Sequence, residues 1–178
     1  MKLKAKLMDE AMLNRALMRM SHEILEKNKG ADKLVIIGIR RRGEEIAKRI
    51  AANIKKIEGA DVPFLELDIS FYRDDLTKIS DSPVINKKPE NFDVEGKRVI
   101  LADDVLYTGR TVRAAIEAVF SMGRPESISL AVLIDRGHRQ LPIRADFVGK
   151  NIPTSQEETV SVKIPPFDKE TCVLLYEK

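Results

Sequence analysis

Val99-Ile100-Leu101-Ala102-Asp103-Asp104-Val105-Leu106-Tyr107-Thr108-Gly109-Arg110-Thr111 is the stretch from which the fold of this 178-residue chain is read. The apolar run from Arg98 to Ala102 predicts a strand covered on both faces, Asp103 to Arg110 a turn, and Thr111 to about Ser121 a helix that Gly123 and Pro125 bring to an end. A second buried-type strand, Ile128 to Ile134, closes a βαβ unit.

The same alternation extends outward. Asp9 is placed to cap a helix whose Leu13, Ala16, Leu17, Met20 and Ile24 recur every three or four residues, up to Asn28-Lys29-Gly30. The run from Lys33 to Ile39 predicts a strand, Arg40-Arg41-Arg42-Gly43 a loop, and Ala47, Ile50, Ala51 and Ile54 a second amphipathic helix. Val62 to Ile69 predicts a further strand. Residues 71–94 are polar, carry Pro83 and Pro89, and suit a functional flap. The runs 145–148, 159–164 and 171–176 are expected as strands at one side of the sheet. The predicted class is α/β: one domain over 1–178 with an open, mainly parallel sheet flanked by helices. Such sheets bind ligands at the carboxyl ends of their strands, which gathers the loops 40–43, 71–94, 103–110 and 135–139.

Composition narrows the function. Lys and Arg total 31 against 28 Asp and Glu, a net charge of +3, so any anion site must be a local concentration of charge rather than a polybasic tail. The single Cys172 lies in an apolar run and suits a buried small hydrophobe. No stretch approaches the roughly 18 apolar residues of a membrane helix, and the basic start leads into no apolar segment, so a cytoplasmic protein is expected.

In the 99–111 stretch, two adjacent carboxylates at a strand end stand beside a Thr-Gly-Arg-Thr turn opening a helix. The acids are acceptors for sugar hydroxyls. The turn offers backbone N–H groups, hydroxyls and a positive dipole end to a phosphate. Taken alone, the two acids would be read as turn caps; thirteen positions fitting together favour a sugar-phosphate site. The spacing differs from a Walker A loop and lacks its Lys-Ser/Thr.

The stretch resembles the phosphoribosyl-diphosphate signature of type I phosphoribosyltransferases. That resemblance assigns Asp103 and Asp104 to the ribose hydroxyls, and Thr108, Gly109, Arg110 and Thr111, with Val105, Leu106 and Tyr107 completing the loop, to the 5′-phosphate side. Arg40, Arg41, Arg42 and Gly43 match the family's diphosphate loop, where Arg presents paired donors to a highly charged leaving group. The 71–94 segment resembles the family's mobile hood, with Arg73 its anion contact, and 135–178 a small base-binding part. Catalytic roles thus fall to Arg42, Arg73, Asp103 and Asp104. Mg²⁺ is expected mainly through the diphosphate substrate, with no direct protein ligand. Phe147, Val148 and Ile152 are expected to wall the base. Tyr107 stands where the purine enzymes carry a base-attending Asp, so no general base is assigned.

Residues 9–22, 72–76, 103–113 and 135–154, the last including Asp135-Arg136-Gly137-His138-Arg139, resemble more narrowly the bifunctional pyrimidine-operon attenuation regulators with uracil phosphoribosyltransferase activity. This resemblance implies 5-phosphoribosyl 1-diphosphate, uracil and UMP or UTP as ligands, a pyrimidine-operon mRNA leader as partner, and a homodimer or larger assembly. Arg15, Arg19 and His22 recur at helical spacing opposite the apolar stripe, and His138, Arg139, Arg144 and Lys150 form a second basic group. From spacing alone both are solvated basic faces; the resemblance makes them RNA-binding candidates. A purely metabolic uracil or purine phosphoribosyltransferase is the alternative.

Overall fold

The computed structural model describes residues 1–39, 41–69 and 92–177. Arg40 and residues 70–91, which hold Arg73 and most of the expected 71–94 flap, lie outside the described residues. Eleven elements follow in order: β1 (Lys2–Met8), α1 (Glu10–Asn28), β2 (Leu34–Ile39), α2 (Arg42–Glu58), β3 (Phe64–Leu67), β4 (Arg98–Leu106), α3 (Arg110–Met122), β5 (Ser127–Asp135), β6 (Phe147–Asn151), β7 (Glu158–Lys163) and β8 (Cys172–Glu177).

Five strands form a parallel sheet in the order β3-β2-β4-β5-β6, with β4 at its centre. Side chains alternate between its faces. Ile36 and Ile100 join Leu13, Leu17, Met20, Ile46, Ile50 and Ile54 of α1 and α2 on one side. Val35, Ile37, Val99 and Leu101 join Val112, Ala115 and Val119 of α3 on the other. Apolar residues on both faces are why the strands read as unbroken apolar runs. The helix signals act as expected: the Asp9 carboxylate accepts the Met12 N–H at 2.7 Å, and Gly59 ends α2 with a left-handed φ of 72°.

Three expectations change. The central strand runs on through Leu106, pairing Asp103 with Val132 and Leu106 with Asp135, so the acidic pair lies in the strand and the turn is only Tyr107-Thr108-Gly109. Strands β7 and β8 do not extend the main sheet. They form a separate antiparallel sheet in the order β1-β8-β7. The alternating burial of β7 explains this, because a strand half-covered on one face suits an antiparallel sheet. The third member, β1, was read only as a basic start. Its Lys2, Lys4 and Lys6 alternate with Leu3, Ala5 and Leu7, a two-residue period masked by the charge. Among the described residues, no helix is long and apolar enough to cross a membrane.

Candidate active site at the carboxyl edge of the sheet

Parallel pairing brings the carboxyl ends of β2, β4 and β5 to one edge, and the site is built there. Asp103 is buried; its Oδ1 accepts the Asp104 N–H at 2.8 Å, and Asp104 Oδ1 accepts the Val105 N–H at 2.8 Å. Burial, then repulsion from Asp104, pushes the Asp103 carboxyl well above its ordinary range. Burial also raises Asp104, with the nearby Arg42 charge among the opposing influences. The two acids line different spaces. Asp103 borders a cavity of about 350 Å³ with Tyr107 through Thr111, whereas Asp104 borders a second of about 620 Å³ with Arg42 and β7 residues 159–162.

The turn into α3 is set by Gly109, whose φ of 93° is the left-handed conformation that glycine tolerates best. Gly109 at the N-cap has no side chain to offer and the Thr108 hydroxyl accepts the Arg110 N–H at a long 3.4 Å, so the first turn faces the smaller cavity as a helix N-terminus, the arrangement suited to a phosphate. The Thr108 carbonyl meanwhile accepts N–H groups from Gln140 at 3.0 Å and Leu141 at 3.2 Å, tying the loop after β5 over the turn.

Close backbone packing seats the other half of the site. A Cβ on Gly38 would lie 2.4 Å from the Gly43 carbonyl oxygen, and one on Gly43 would lie 2.6 Å from that of Ala102. Only glycines let the β2–α2 turn lie directly on β4, and this brings Arg42 beside Asp104. Arg42 makes a two-pronged pair with Asp168, Nε to Oδ2 at 3.0 Å and Nη2 to Oδ1 at 3.1 Å. The Arg42 guanidinium in turn holds the Asp168 carboxyl below its usual range.

The loop after β5 supplies a third wall. Arg136 is buried; it donates to Thr154 Oγ1 at 3.1 Å and to the carbonyls of Ser155 at 3.3 Å and Glu158 at 2.6 Å, and its guanidinium carbon lies 4.1 Å from the Tyr107 ring centroid. The His138 ring meets Tyr107 edge-on at 5.9 Å, with Nε2 2.6 Å from the Thr154 carbonyl oxygen. Ile152 donates its N–H to the Asp135 carbonyl at 2.8 Å, so residues 152–158 emerge at this edge beside Tyr107.

Of the residues proposed from sequence, Arg41, Arg42, Gly43 and 103–111 converge on this edge. Phe147 does not. It is the first residue of β6, opposite Ala131, and its buried ring packs in the α1-side core with Lys27 Nζ 5.3 Å from its centroid. Expecting 147–148 at a strand end reversed the strand's direction of use: they begin it. Val148 packs towards α3. Ile152 is the member of that group at the correct edge.

The basic candidates fall into two kinds. Arg15, Arg19 and His22 are exposed on α1. Arg19 also donates to the Val148 and Gly149 carbonyls at 3.0 and 2.7 Å, and Lys150 Nζ reaches the Leu7 carbonyl at 3.3 Å, so the α1 face and β6 lie side by side. Arg144 is exposed as well. Arg139, by contrast, turns inward, donating to the Ile143 and Tyr107 carbonyls at 2.9 Å each and pairing with Asp135. Sequence reasoning missed Asp168 and Arg136 as site residues. Asp168 had no local signal, and Arg136 sat unremarked within the 135–139 stretch.

Among the described residues, no group of three His, Cys, Asp or Glu is arranged to hold a metal ion. Asp103 and Asp104 nonetheless form an all-oxygen pair whose ionisation burial opposes, which suits a hard cation arriving with its own oxygen ligands.

Comparison with known proteins matches residues 7–166 to the phosphoribosyl transferase domain. The chain is 60% identical over 177 residues to the bifunctional protein PyrR of Clostridium kluyveri, covering 99% of each. It is 58% identical over 180 residues to that of Oceanobacillus iheyensis, covering 100% of each. Solved structures with the same fold include a hypoxanthine-guanine phosphoribosyltransferase of Bacillus anthracis, at TM-score 0.72 and 19% identity, with 98% of each chain covered. A hypoxanthine phosphoribosyltransferase of Trypanosoma cruzi in complex with IMP aligns at TM-score 0.73 and 18% identity, covering 99% of this chain and 92% of that one. With a domain match over 7–166 and relatives of this identity aligned end to end, the chain belongs to the phosphoribosyl transferase domain family, in the branch of the bifunctional PyrR proteins.

Proposed function

We propose that this chain transfers the phosphoribosyl group of 5-phosphoribosyl 1-diphosphate to uracil, giving UMP and diphosphate, and that, loaded with UMP or UTP, it binds the leader mRNA of pyrimidine operons and promotes termination of transcription. The observation that carries the first half is the Asp103–Asp104 pair near the carboxyl end of β4, Asp103 buried and Asp104 half-buried, with the Tyr107-Thr108-Gly109 turn leading from that strand into the start of α3.

In this reading Asp103 and Asp104 accept hydrogen bonds from the ribose 2′- and 3′-hydroxyls, and Thr108 to Thr111 hold the 5′-phosphate. Uracil N1 forms its bond to the anomeric carbon as the bond to diphosphate breaks, and the N1 proton is released. Positive charge grows on the ribose during this exchange, and poorly solvated carboxylates beside the ring favour it. Arg42, with Arg40 and Arg41, receives the departing diphosphate, and Arg73 with the 71–94 segment closes over it to exclude water. Mg²⁺ would enter mainly through the oxygens of the diphosphate substrate, with Asp103 and Asp104 the residues that would face it, and would offset the charge of the leaving group. Tyr107 and the 152–158 segment border the base, whose two carbonyls and N3–H suit backbone partners.

Support for the second half comes from the bifunctional relatives and from the adjacency of the basic α1 face to β6. A homodimer or larger assembly in the cytoplasm completes the reading.

Two measurements test it. Initial rates with 5-phosphoribosyl 1-diphosphate and Mg²⁺ should favour uracil over hypoxanthine and guanine; the reverse preference overturns the base assignment. Retention of a labelled pyrimidine leader RNA should strengthen with UMP and weaken with salt. RNA that is never retained leaves a purely metabolic transferase.

A further inference from the structure

Arg42 is flanked by two carboxylates and hydrogen-bonds to one. Its Nε and Nη2 grip both oxygens of Asp168, at 3.0 and 3.1 Å, while Asp104 contributes only an attraction through space. Asp168 is itself fixed: its Oδ2 accepts the Ile164 N–H at 3.0 Å, its own N–H donates to the Ile164 carbonyl at 3.2 Å, and its side chain is 16% exposed. The partner comes from the connection between β7 and β8, 126 residues away in the chain, so the antiparallel sheet reaches across to the head of α2. A guanidinium has five N–H donors, and this grip consumes two, leaving the Nη1 pair and one Nη2 hydrogen for another anion.

We infer that Asp168 is a positioning residue for the diphosphate: by gripping one edge of Arg42 it keeps the guanidinium off Asp104, so that Arg42 stays available to the leaving group and Asp104 to the ribose. The inference rests on the phosphoribosyl-transfer reading of this edge. A long, flexible Arg released next to the half-buried Asp104 carboxylate would pair with it, since a poorly solvated charge gains from a partner and an Arg–carboxylate fork is strong. Removing Asp168 therefore costs two subsites through one movement. The opposite possibility, that Asp168 competes with the diphosphate for Arg42, predicts the opposite sign and is decided by the same experiment.

The experiment compares the full-length wild type with Asp168→Ala, Asp168→Glu, Arg42→Ala and the Arg42→Ala/Asp168→Ala double variant. Rates are followed against 5-phosphoribosyl 1-diphosphate and against uracil, and binding of Mg²⁺-diphosphate is followed by calorimetry. Asp168→Ala should raise KM for 5-phosphoribosyl 1-diphosphate on the order of 10-fold and weaken diphosphate binding in parallel, with KM for uracil unchanged. Asp168→Glu should recover part of the loss. In the Arg42→Ala background, removing Asp168 should add nothing. A KM for 5-phosphoribosyl 1-diphosphate that is unchanged or lowered, or a further rise in the Arg42→Ala background, overturns the inference. Wild type that binds Mg²⁺-diphosphate but turns over no base overturns the transfer reading alone, because the binding comparison still judges Asp168; wild type that binds no diphosphate overturns both.

Discussion

The guanidinium of Arg136 sits over the Tyr107 ring with its central carbon 4.1 Å from the ring centroid, and three hydrogen bonds to Thr154, Ser155 and Glu158 fix it there. This one buried cation joins the end of β4, the end of β5 and the chain leading into β7. Substituting Arg136 by Met should cost about 2–4 kcal/mol in urea unfolding, because the Glu158 carbonyl and Thr154 hydroxyl lose their donor in a buried place. Lys should recover little, having charge without the planar fork. Tyr107→Phe, which keeps the aromatic face, should stay within about 0.5 kcal/mol of wild type. Equal stability of all three variants would show that the contact is incidental.

The acidic pair should trade stability for function. Burial raises both carboxyls, with repulsion from Asp104 adding to it at Asp103, so the folded chain holds their protons more tightly than the unfolded chain does. Such groups favour the folded state at low pH and lose that contribution as pH rises from the ordinary value of 3.8 through their raised folded values. Asp103→Asn keeps an oxygen for the Asp104 N–H and removes the charge. Its melting temperature at pH 7 should rise by roughly 2–4 °C, as a stabilisation of about 1 kcal/mol gives in a chain of this size, while transfer falls by about 100-fold. A lower melting temperature would mean that the carboxylate is better satisfied than its surroundings indicate.

How much of this was legible before folding depends on where each residue's partners lie. The β4–α3 unit was legible because its signals are local: four apolar residues, two acids, and a glycine at the one turn position that needs φ of 93°. The limits of the strand were not, since Asp103 and Asp104 carry strand geometry by virtue of β5, not of their own preference. For β1 the two-residue period was present, but Lys at alternate positions hid a strand whose partner is the far end of the chain, β8. Phe147 was mistaken because an aromatic beside a valine says nothing of which end of a strand it occupies. Asp168 could be found only by folding, its partner being 126 residues distant.

The opposite pH dependence is expected from Asp168 and Glu158. The Arg42 guanidinium and the Lys4 ammonium, the latter 2.5 Å from Glu158, hold these carboxyls below their ordinary values of 3.8 and 4.5. Groups of this kind contribute stability that is fully present above those ordinary values and is lost as pH falls through the lowered folded ones. Stability should therefore decline steeply below about pH 4 even as the active-site acids become easier to accommodate. Thermal melts in steps from pH 7 to 3 should show a shallower acid limb for Asp168→Asn than for wild type. Parallel limbs would show that the Arg42–Asp168 pair contributes nothing to folding.

The RNA surface should separate by what each cation already holds. Arg15 and Arg144 are exposed and make no hydrogen bond or ion pair among the described residues, so their charge is at the disposal of a phosphate backbone. Arg139 is committed to Asp135 and to the Tyr107 and Ile143 carbonyls, and Arg19 in part to the Val148 and Gly149 carbonyls. Arg15→Gln and Arg144→Gln should each weaken leader-RNA retention and lower the slope of log affinity against log salt by about 1, with melting temperature unchanged. Arg139→Gln should weaken RNA retention only together with a lower melting temperature and poorer UMP binding, because it unpins the loop over the phosphate turn. RNA affinity and salt slope that survive both Arg15→Gln and Arg144→Gln would move the nucleic-acid surface away from α1 and the approach to β6.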